Sequence, residues 1–460
     1  MSKIKREGAE KLARLLDTGI GKVHISGVFG VSASALAAML RERGIFTSGS
    51  DDAKCGDIGA ELACRGVRIA ADREAARSMI MGADALVYSS AISPEHPDRL
   101  AAAEWGIPEY SRAELLGVLM KKYRRRIGIS GTHGKSTTTA MLGDIFSVAG
   151  LSPTVLCGAR LSGGRCFKLG ADDYLIYEAC EYRDSFLHFS PSCAIITNVE
   201  LEHTDYFPSL SAIEKSFIRS ASGADIAVVS ADSPSSLSVA NALGARAVTV
   251  GKSPDARIRY ERSSASSFRL LEGGKMLAEF NTGVYGEHNI SNAALAATAA
   301  IFEGVGIMDI SSALSSFHGI EKRLERIGEG EGVSVYRDYA HHPTEIRAAL
   351  TALRECHGSV AVLFRPHTYT RTRDLWSGFV GALSMADRIG IYEIYPAREC
   401  AIPGISAEAL AAEIKGAVPL SRDSALDFIC ESGCDAVVLM GAGDLDWLTE
   451  KVKLKYGDIK

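Results

Sequence analysis

"RRRIGISGTHGKSTTTAMLGDIF", residues 124 to 146, sets a short apolar run (Ile127, Ile129) before two glycines, a lysine and a helix-like stretch. It has the order of a phosphate-binding loop without the usual spacing. That loop keeps four residues between its first glycine and the glycine before the lysine. The position required here is Ile129, and the nearest glycines are Gly128 and Gly131. The parts still suit polyphosphate. Gly131 and Gly134 let the backbone turn tightly and approach a ligand. A helix starting near Lys135 aims unpaired N–H groups and partial positive charge into the turn. Lys135 adds a full charge, and Ser136, Thr137 and Thr138 bring hydroxyls that either cap the helix or reach a metal. The plainer alternative is a capped helix after a glycine turn.

Outward from this loop, short apolar runs alternate with helical patterns, which implies parallel α/β architecture. "KVHISGV" reads as a strand and "SASALAAMLRERG" as its helix, stopped at Gly44. "ADALVYSSAI", "DDYLIYEACE", "SCAIITNVELEH" and "ADIAVVSAD" read as further strands with their loops. Residues 256 to 285 alternate like a β-meander turning at Gly273-Gly274. A helix is expected from about Ile290 to Gly304. The last third repeats the rhythm in "GVSVYRDYA", "SVAVLFRP", "ADRIGIYEIYP" and "CDAVVLMGAGD". The basic run Lys121 to Arg126 and the charged, glycine-rich stretch Gly319 to Gly332 read as boundaries. Three α/β domains follow: 1–123, 124–322 and 323–460.

With 460 residues, the chain is too long for one core. A net charge of −5 points to neither a nucleic-acid nor a membrane surface. No apolar run approaches a membrane span. "MSKIKREGAEKLARLL" reads as an amphipathic helix without a signal-peptide apolar region. The ten cysteines are scattered, with no C-x-x-C pair. Reduced thiols in a cytoplasmic protein are expected.

Polar clusters sit just after the strands, where open α/β sheets bind ligands. Glu178 ends a buried-looking strand, where an unpaired carboxylate is costly; it is a candidate ligand for the magnesium that accompanies a triphosphate. His203 follows the next strand. Magnesium prefers oxygen, so by chemistry alone His203 reads as a structural histidine. Glu181, Glu200, Glu202 and Asp205 nearby read as solvated or supporting groups. "HHPTEI" places His341 and His342 before Pro343, in a helix's first turn. Arg365, His367, Arg371 and Arg373 follow another strand, as separate surface ion pairs or as one anion-binding surface.

In this order the clusters resemble the Mur ligases of peptidoglycan synthesis. The resemblance rests on "SSAI", "GTHGKSTTT", "EACE" with "DSFL", "TNVELEHTDYF", "GEHNISNAALAA" (residues 286 to 297), "DYAHHPTEI", "PHTYTRTRDL" and "GAGD". "YAHHPTE" with "YTRTRDL" marks the alanine-adding branch. It implies a Rossmann-like N-terminal domain for the UDP-sugar, a central parallel-sheet ATPase domain with a β-meander, and a Rossmann-like C-terminal domain for the amino acid. The implied substrates are UDP-N-acetylmuramate and L-alanine, with ATP and magnesium, in a monomer or homodimer. Position by position, Gly131, Thr132, His133, Gly134, Lys135, Ser136 and Thr137 form the nucleotide loop, with Lys135 on the γ-phosphate. Ser136, Glu178 and His203 serve magnesium. His288 and Asn289 line the adenine side, and Arg323 and Asp338 reach the nucleotide. Tyr339, His341 and Arg371 orient alanine; Gly27, Gly30, Ser34 and Ser90 hold the UDP-sugar. Lys135, Glu178, His203 and His341 are the catalytic set.

The chain departs from the family in places. Its first loop has the form G-x-G-G-x-G-M-S; here it is "GVFGVSAS", with Phe29, Ser32 and Ala33 in place of two glycines and the methionine. Arg337 stands where aspartate is frequent, Glu202 replaces an aspartate, and Thr368 stands where some members carry arginine. Two other readings remain: a recycling ligase that attaches a preformed peptide, and a nucleotide-binding homologue that has lost ligation.

Overall fold

A computed structural model describes residues 3–457 except 20, 90, 162–163, 204–205, 331 and 398. The first sheet is parallel, built from β1 (Lys22–Ser26), β2 (Phe46–Ser50), β3 (Arg68–Ile69), β4 (Ala85–Tyr88) and β5 (Glu109–Ser111) in the order β3-β2-β1-β4-β5. Strand order reverses between β1 and β4. In such sheets that crevice is where a ligand sits.

A second sheet runs through β6 (Arg125–Ser130), β7 (Thr154–Leu156), β8 (Phe167–Lys168), β9 (Tyr174–Glu178), β10 (Cys193–Ile196), β11 (Ile226–Ser230), β12 (Ala247–Gly251) and β13 (Ile258–Arg262), ordered β8-β7-β9-β6-β10-β11-β12-β13. Its strands are parallel except for β8 against β7. The middle strands read as unbroken apolar runs because helices cover both faces; Ile127, Ile129, Ile176, Ile195 and Val228 are all fully buried. The meander continues in β14 (Ser267–Glu272) and β15 (Lys275–Asn281), and Gly273 and Gly274 both take positive φ between them, the turn their sequence predicts.

The third sheet holds β16 (Glu325–Gly330), β17 (Val333–Asp338), β18 (Val360–Phe364), β19 (Arg388–Tyr392), β20 (Ala417–Leu420) and β21 (Ala436–Met440), ordered β16-β17-β21-β18-β19-β20. The stretch expected only as a boundary thus contains an antiparallel edge strand, β16. Charge and glycine are tolerated there because an edge strand keeps one side in water. Strands β2, β5, β7 and β20 are short and polar or interrupted, and escaped the periodicity reading. The helix expected from Ile290 starts earlier, at Glu287, and ends at Phe302.

By internal contacts the chain forms two compact units. One comprises residues 1–260, 271–275 and 294–313; the other comprises 261–270, 276–293 and 314–460. The first two sheets share a continuous core within the first unit. No described helix is long and apolar enough to cross a membrane.

Candidate functional site

In the first unit, β6 ends at Ser130 and the chain turns through Gly131 (φ +141°) and Gly134 (φ +82°) into the helix Lys135–Val148. A Cβ on Gly131 would lie 2.0 Å from Thr197 Oγ1, so only glycine fits. The loop is tied to the end of β10. The His133 N–H donates to Asn198 Oδ1 at 2.8 Å, Asn198 Nδ2 donates to the His133 carbonyl at 3.1 Å, and the Glu200 N–H donates to Thr132 Oγ1 at 2.9 Å. Asn198 is a clamp the sequence reading missed; its one signal was its place straight after a buried strand. The helix is capped by Gly134 with no side-chain bond. The hydroxyls of Ser136, Thr137 and Thr138 are therefore not caps.

Lys135 Nζ donates to the Thr132 carbonyl and to Glu181 Oε1, both at 3.1 Å, and to the Gly131 carbonyl. Burial disfavours the ammonium, but Glu181 first, together with Cys180, Glu202 and Glu178, more than offsets it and holds the lysine above its ordinary pKa. Glu181 is the reciprocal case: burial pushes its pKa up, Lys135 and then His203 pull it down, and the result lies below the usual glutamate value. His203 Nε2 stands 3.7 Å from Glu181 Oε1, and the ring packs on Tyr182 at 4.8 Å. Its backbone is left-handed at φ +54°, a conformation uncommon outside glycine and concentrated at functional sites.

Glu181, Glu202 and His203 bring their ligand atoms within 4.8 Å of one another. This departs from the expected grouping of Glu178 with His203. Glu178 Oε1 instead accepts the Gly158 N–H and contacts the Cys157 thiol at 3.4 Å. Glu181, set aside above as a supporting group, is the buried carboxylate here, with 1% of its side chain exposed and Oε2 without a hydrogen-bond partner among the described residues. Three residues of sequence decide this, because the chain leaves the β9 register after Glu178 and enters the irregular turn Tyr182–His188. Asp205 and Ser90 lie outside the described residues.

The first loop of this unit differs. Gly27 takes φ +76° and Gly30 starts the helix Val31–Glu42. The Gly27 and Val28 N–H groups both donate to the Ser50 carbonyl, Phe29 N–H to Asp51 Oδ2 at 2.8 Å, and Gly30 N–H to the Gly27 carbonyl. Ser34 is buried, and its hydroxyl bonds back to the Val31 carbonyl. Beneath the loop, His24 bridges Ser48 and Ser50 at 2.9 and 3.0 Å, and Ser26 bonds Asp98 at 2.6 Å.

The second unit gathers most of the remaining candidates. Asp338 accepts the Leu324 and Ala340 N–H groups at 2.7 and 2.6 Å; its burial raises its pKa and Arg323 opposes that. The Arg323 guanidinium covers the Tyr339 ring at 5.4 Å and stands 3.6 Å from Glu345. His341 meets Tyr339 edge-on at 5.3 Å, its N–H bonds Glu345 Oε2 at 3.0 Å, and His367 lies 6.1 Å away. His342 caps the helix Pro343–Cys356. Arg371 sits on the helix Tyr369–Asp374, after Thr368 in a strained backbone (φ +65°, ψ 146°). Burial first, then Arg371 and His341, hold the pKa of His367 down to about 4. His288 is neutral for the same first reason, with Arg323 adding, at about 4. The Asn289 amide bonds the Tyr285 carbonyl at 2.8 Å. Arg337 is buried among carbonyls of Asp338, Leu439, Gly441 and Gly443, and so fixes the loop after β21.

Parallel sheets with a lysine-bearing glycine turn beside a carboxylate–imidazole cluster define an ATP-dependent α/β enzyme. The Mur ligase middle domain matches residues 129–300, the Mur ligase glutamate ligase domain residues 322–443, and the Mur ligase family catalytic domain residues 22–124. The UDP-N-acetylmuramate–L-alanine ligase of Caldicellulosiruptor bescii is 36% identical over 86% of this chain and 89% of its own. That of Paenarthrobacter aurescens is 37% identical over 93% and 95%. Among solved structures, a UDP-N-acetylmuramate–alanine ligase from Thermotoga maritima shares the fold with a TM-score of 0.80 at 24% identity, covering 95% of this chain and 99% of that one. A murein peptide ligase from Psychrobacter arcticus does so at 0.67 and 23%, covering 96% and 99%. The chain belongs to the Mur ligase family.

Proposed function

We propose that the chain joins L-alanine to the carboxylate of UDP-N-acetylmuramate, using ATP and passing through an acyl phosphate, in cytoplasmic peptidoglycan precursor synthesis. The observation that carries this is the run of curated alanine-adding relatives at 34–37% identity, the first three of them spanning 84–92% of the chain. The chemistry explains the need for ATP. A carboxylate at neutral pH is a poor electrophile; phosphorylation gives it a leaving group. The phosphoryl group moves from ATP to the carboxylate oxygen, the alanine amine attacks the carbonyl carbon, and phosphate leaves.

Residues 1–123 take the UDP-sugar, 124–322 the nucleotide and 323–460 the amino acid. Lys135 holds the γ-phosphate and stabilises its transfer, mostly by position and charge. It exchanges its Glu181 contact for phosphate oxygen. The residues present suit magnesium: Glu181 Oε2 is a buried oxygen lacking a partner, and oxygen is what that ion selects. Glu181 and His203, with the Ser136 hydroxyl, would hold it, and Glu202 would add charge; Glu178 supports from the neighbouring strand end. Bound magnesium neutralises phosphate charge. His288 and Asn289 line the adenine side, while Arg323 and Asp338 steady the nucleotide. Tyr339 and His341 orient alanine, and Arg371 takes its carboxylate.

The test is phosphate release from ATP with each substrate omitted in turn. Release that requires both UDP-N-acetylmuramate and L-alanine supports the reading; release indifferent to either overturns it. A panel of L-alanine, glycine, L-serine and a tripeptide separates the alanine-adding reaction from the peptide-attaching one.

A further inference from the structure

Arg112 is the first residue of the helix Arg112–Leu119, which follows β5. Ser111 caps that helix and closes a capping box with Glu114, so the backbone at Arg112 is fixed. Ser111 pairs with Tyr88, placing Arg112 just past the carboxyl ends of β4 and β5, on the ligand-binding edge of the first sheet. The helix also lies hard against the turn Tyr182–His188 of the second sheet. A Cβ on Gly117 would fall 2.4 Å from the His188 carbonyl, so glycine alone permits that approach. Arg112 therefore stands where the two sheets of the first unit meet.

Its guanidinium is half-buried and, among the described residues, makes no hydrogen bond and no ion pair. The ionisable groups that act on it are Cys180 and Glu178, at the end of β9 beside the Lys135 loop. Burial draws its pKa below the usual arginine value, with Cys180 and Glu178 opposing. An arginine carries five donors and is rarely left without acceptors when half-buried.

We infer that Arg112 is a substrate-binding residue that receives the carboxylate of the sugar-acid substrate and holds it for attack on the γ-phosphate. The inference rests on the function proposed above. Attack requires two anions to approach, the carboxylate and the phosphate. Lys135, already paired with Glu181, is placed to serve the phosphate. A second cation is needed for the carboxylate, and a planar guanidinium suits that group bidentately. Arg112 comes from the domain assigned to the sugar, and its charge lies within electrostatic reach of Cys180 and Glu178, beside the ATP loop.

The experiment compares wild type, Arg112→Gln and Arg112→Lys for the KM of UDP-N-acetylmuramate, ATP and L-alanine, with the inhibition constant of UDP and the melting temperature. The expected result is a rise of roughly tenfold or more in the KM for the sugar acid in Arg112→Gln, the scale of a lost charge-assisted hydrogen bond. The KM for ATP, the UDP constant and the melting temperature stay put, and Arg112→Lys recovers part of the loss. An unchanged KM for the sugar acid overturns the inference. So does a parallel weakening of UDP, which would place Arg112 on the diphosphate, or a fall in melting temperature that accounts for the loss. A wild type that turns over without the sugar acid overturns the reaction itself, and with it the inference; an active wild type beside an unaffected variant overturns the role of Arg112 alone.

Discussion

Two glycine turns in the first unit follow a parallel strand and lead into a helix, yet they are built oppositely. At Gly131 to Gly134 the turn carries its own cation, and that cation is held by a buried carboxylate. At Gly27 to Gly30 the turn is uncharged, its N–H groups are already bonded to Ser50, Asp51 and Gly27, and the Asp51 carboxylate takes the Phe29 N–H. Both have the glycines that permit a close approach. Only the turn at Gly131 to Gly134 has its electrostatics arranged for a polyphosphate. A glycine turn before a helix is thus a geometry, and the charges placed around it decide what it receives.

The sharpest way to break this comparison is Lys135→Ala. The expected loss in turnover is roughly 100-fold or more, the scale of one transition-state charge contact. Steady-state rates at saturating ATP check it, with a melting curve alongside because Glu181 loses its buried partner. A variant that keeps most of its rate would show the lysine to be structural. The two glycines test the geometry itself. In Gly131→Ala the new methyl meets Thr197 Oγ1 at 2.0 Å in a backbone that L residues avoid; a rise of roughly tenfold or more in the KM for ATP is expected, from a displaced loop. In Gly27→Ala the methyl meets Ile92 and Ser89 at 3.4 Å, ordinary contact. Only the positive φ is strained there, at about 1–2 kcal/mol, so its melting temperature falls while the KM for ATP does not move. Equal effects in the two variants would remove the distinction.

The strand-to-loop order was legible because buried parallel strands are apolar runs, and because polar residues at their ends have little structural reason to be there. That logic singled out Lys135 from residue type and position; it read His203 as structural and left Arg371 between an ion pair and an anion site, and the roles expected of His203, His341 and Arg371 came from the family resemblance. It weighed Glu178 and left Glu181 among the supporting groups. Glu178 and Glu181 look alike in "EACE", and only the turn after β9 decides that Glu181 meets Lys135 while Glu178 meets Gly158. Asn198, Glu345 and Arg112 were not picked out, since their work depends on partners 65, four and 66 or more positions away. The strands β2, β5 and β20 were missed because they are short and carry serine, glycine or proline. Their pairing comes from neighbours, not from their own pattern.

The smallest expected effect separates the two loops by pH. The loop at Gly27 to Gly30 rests on a neutral histidine: burial holds the pKa of His24 down to about 4, with Asp98 opposing. Unfolded, a histidine takes up its proton near pH ~6.5. The folded form binds fewer protons between those values, so the stability from neutral His24 is full above ~6.5 and declines as pH falls towards 4. The loop at Gly131 to Gly134 rests on an ionised pair. Because the pKa of Glu181 is depressed, its contribution is present above the ordinary carboxylate range and is lost only as pH falls through its own lower value. Acidification should therefore loosen residues 22–34 and 46–51 before residues 129–137. Hydrogen exchange corrected for intrinsic rates reads this directly. His24→Gln keeps a hydrogen-bonding side chain between Ser48 and Ser50 but cannot titrate, so it should flatten the early loss around Gly27 and leave the Gly131 segment unchanged. If the two segments open together in wild type, or if His24→Gln leaves the early loss intact, the N-terminal loop does not depend on that neutral imidazole and the contrast between the loops reduces to the charge on Lys135.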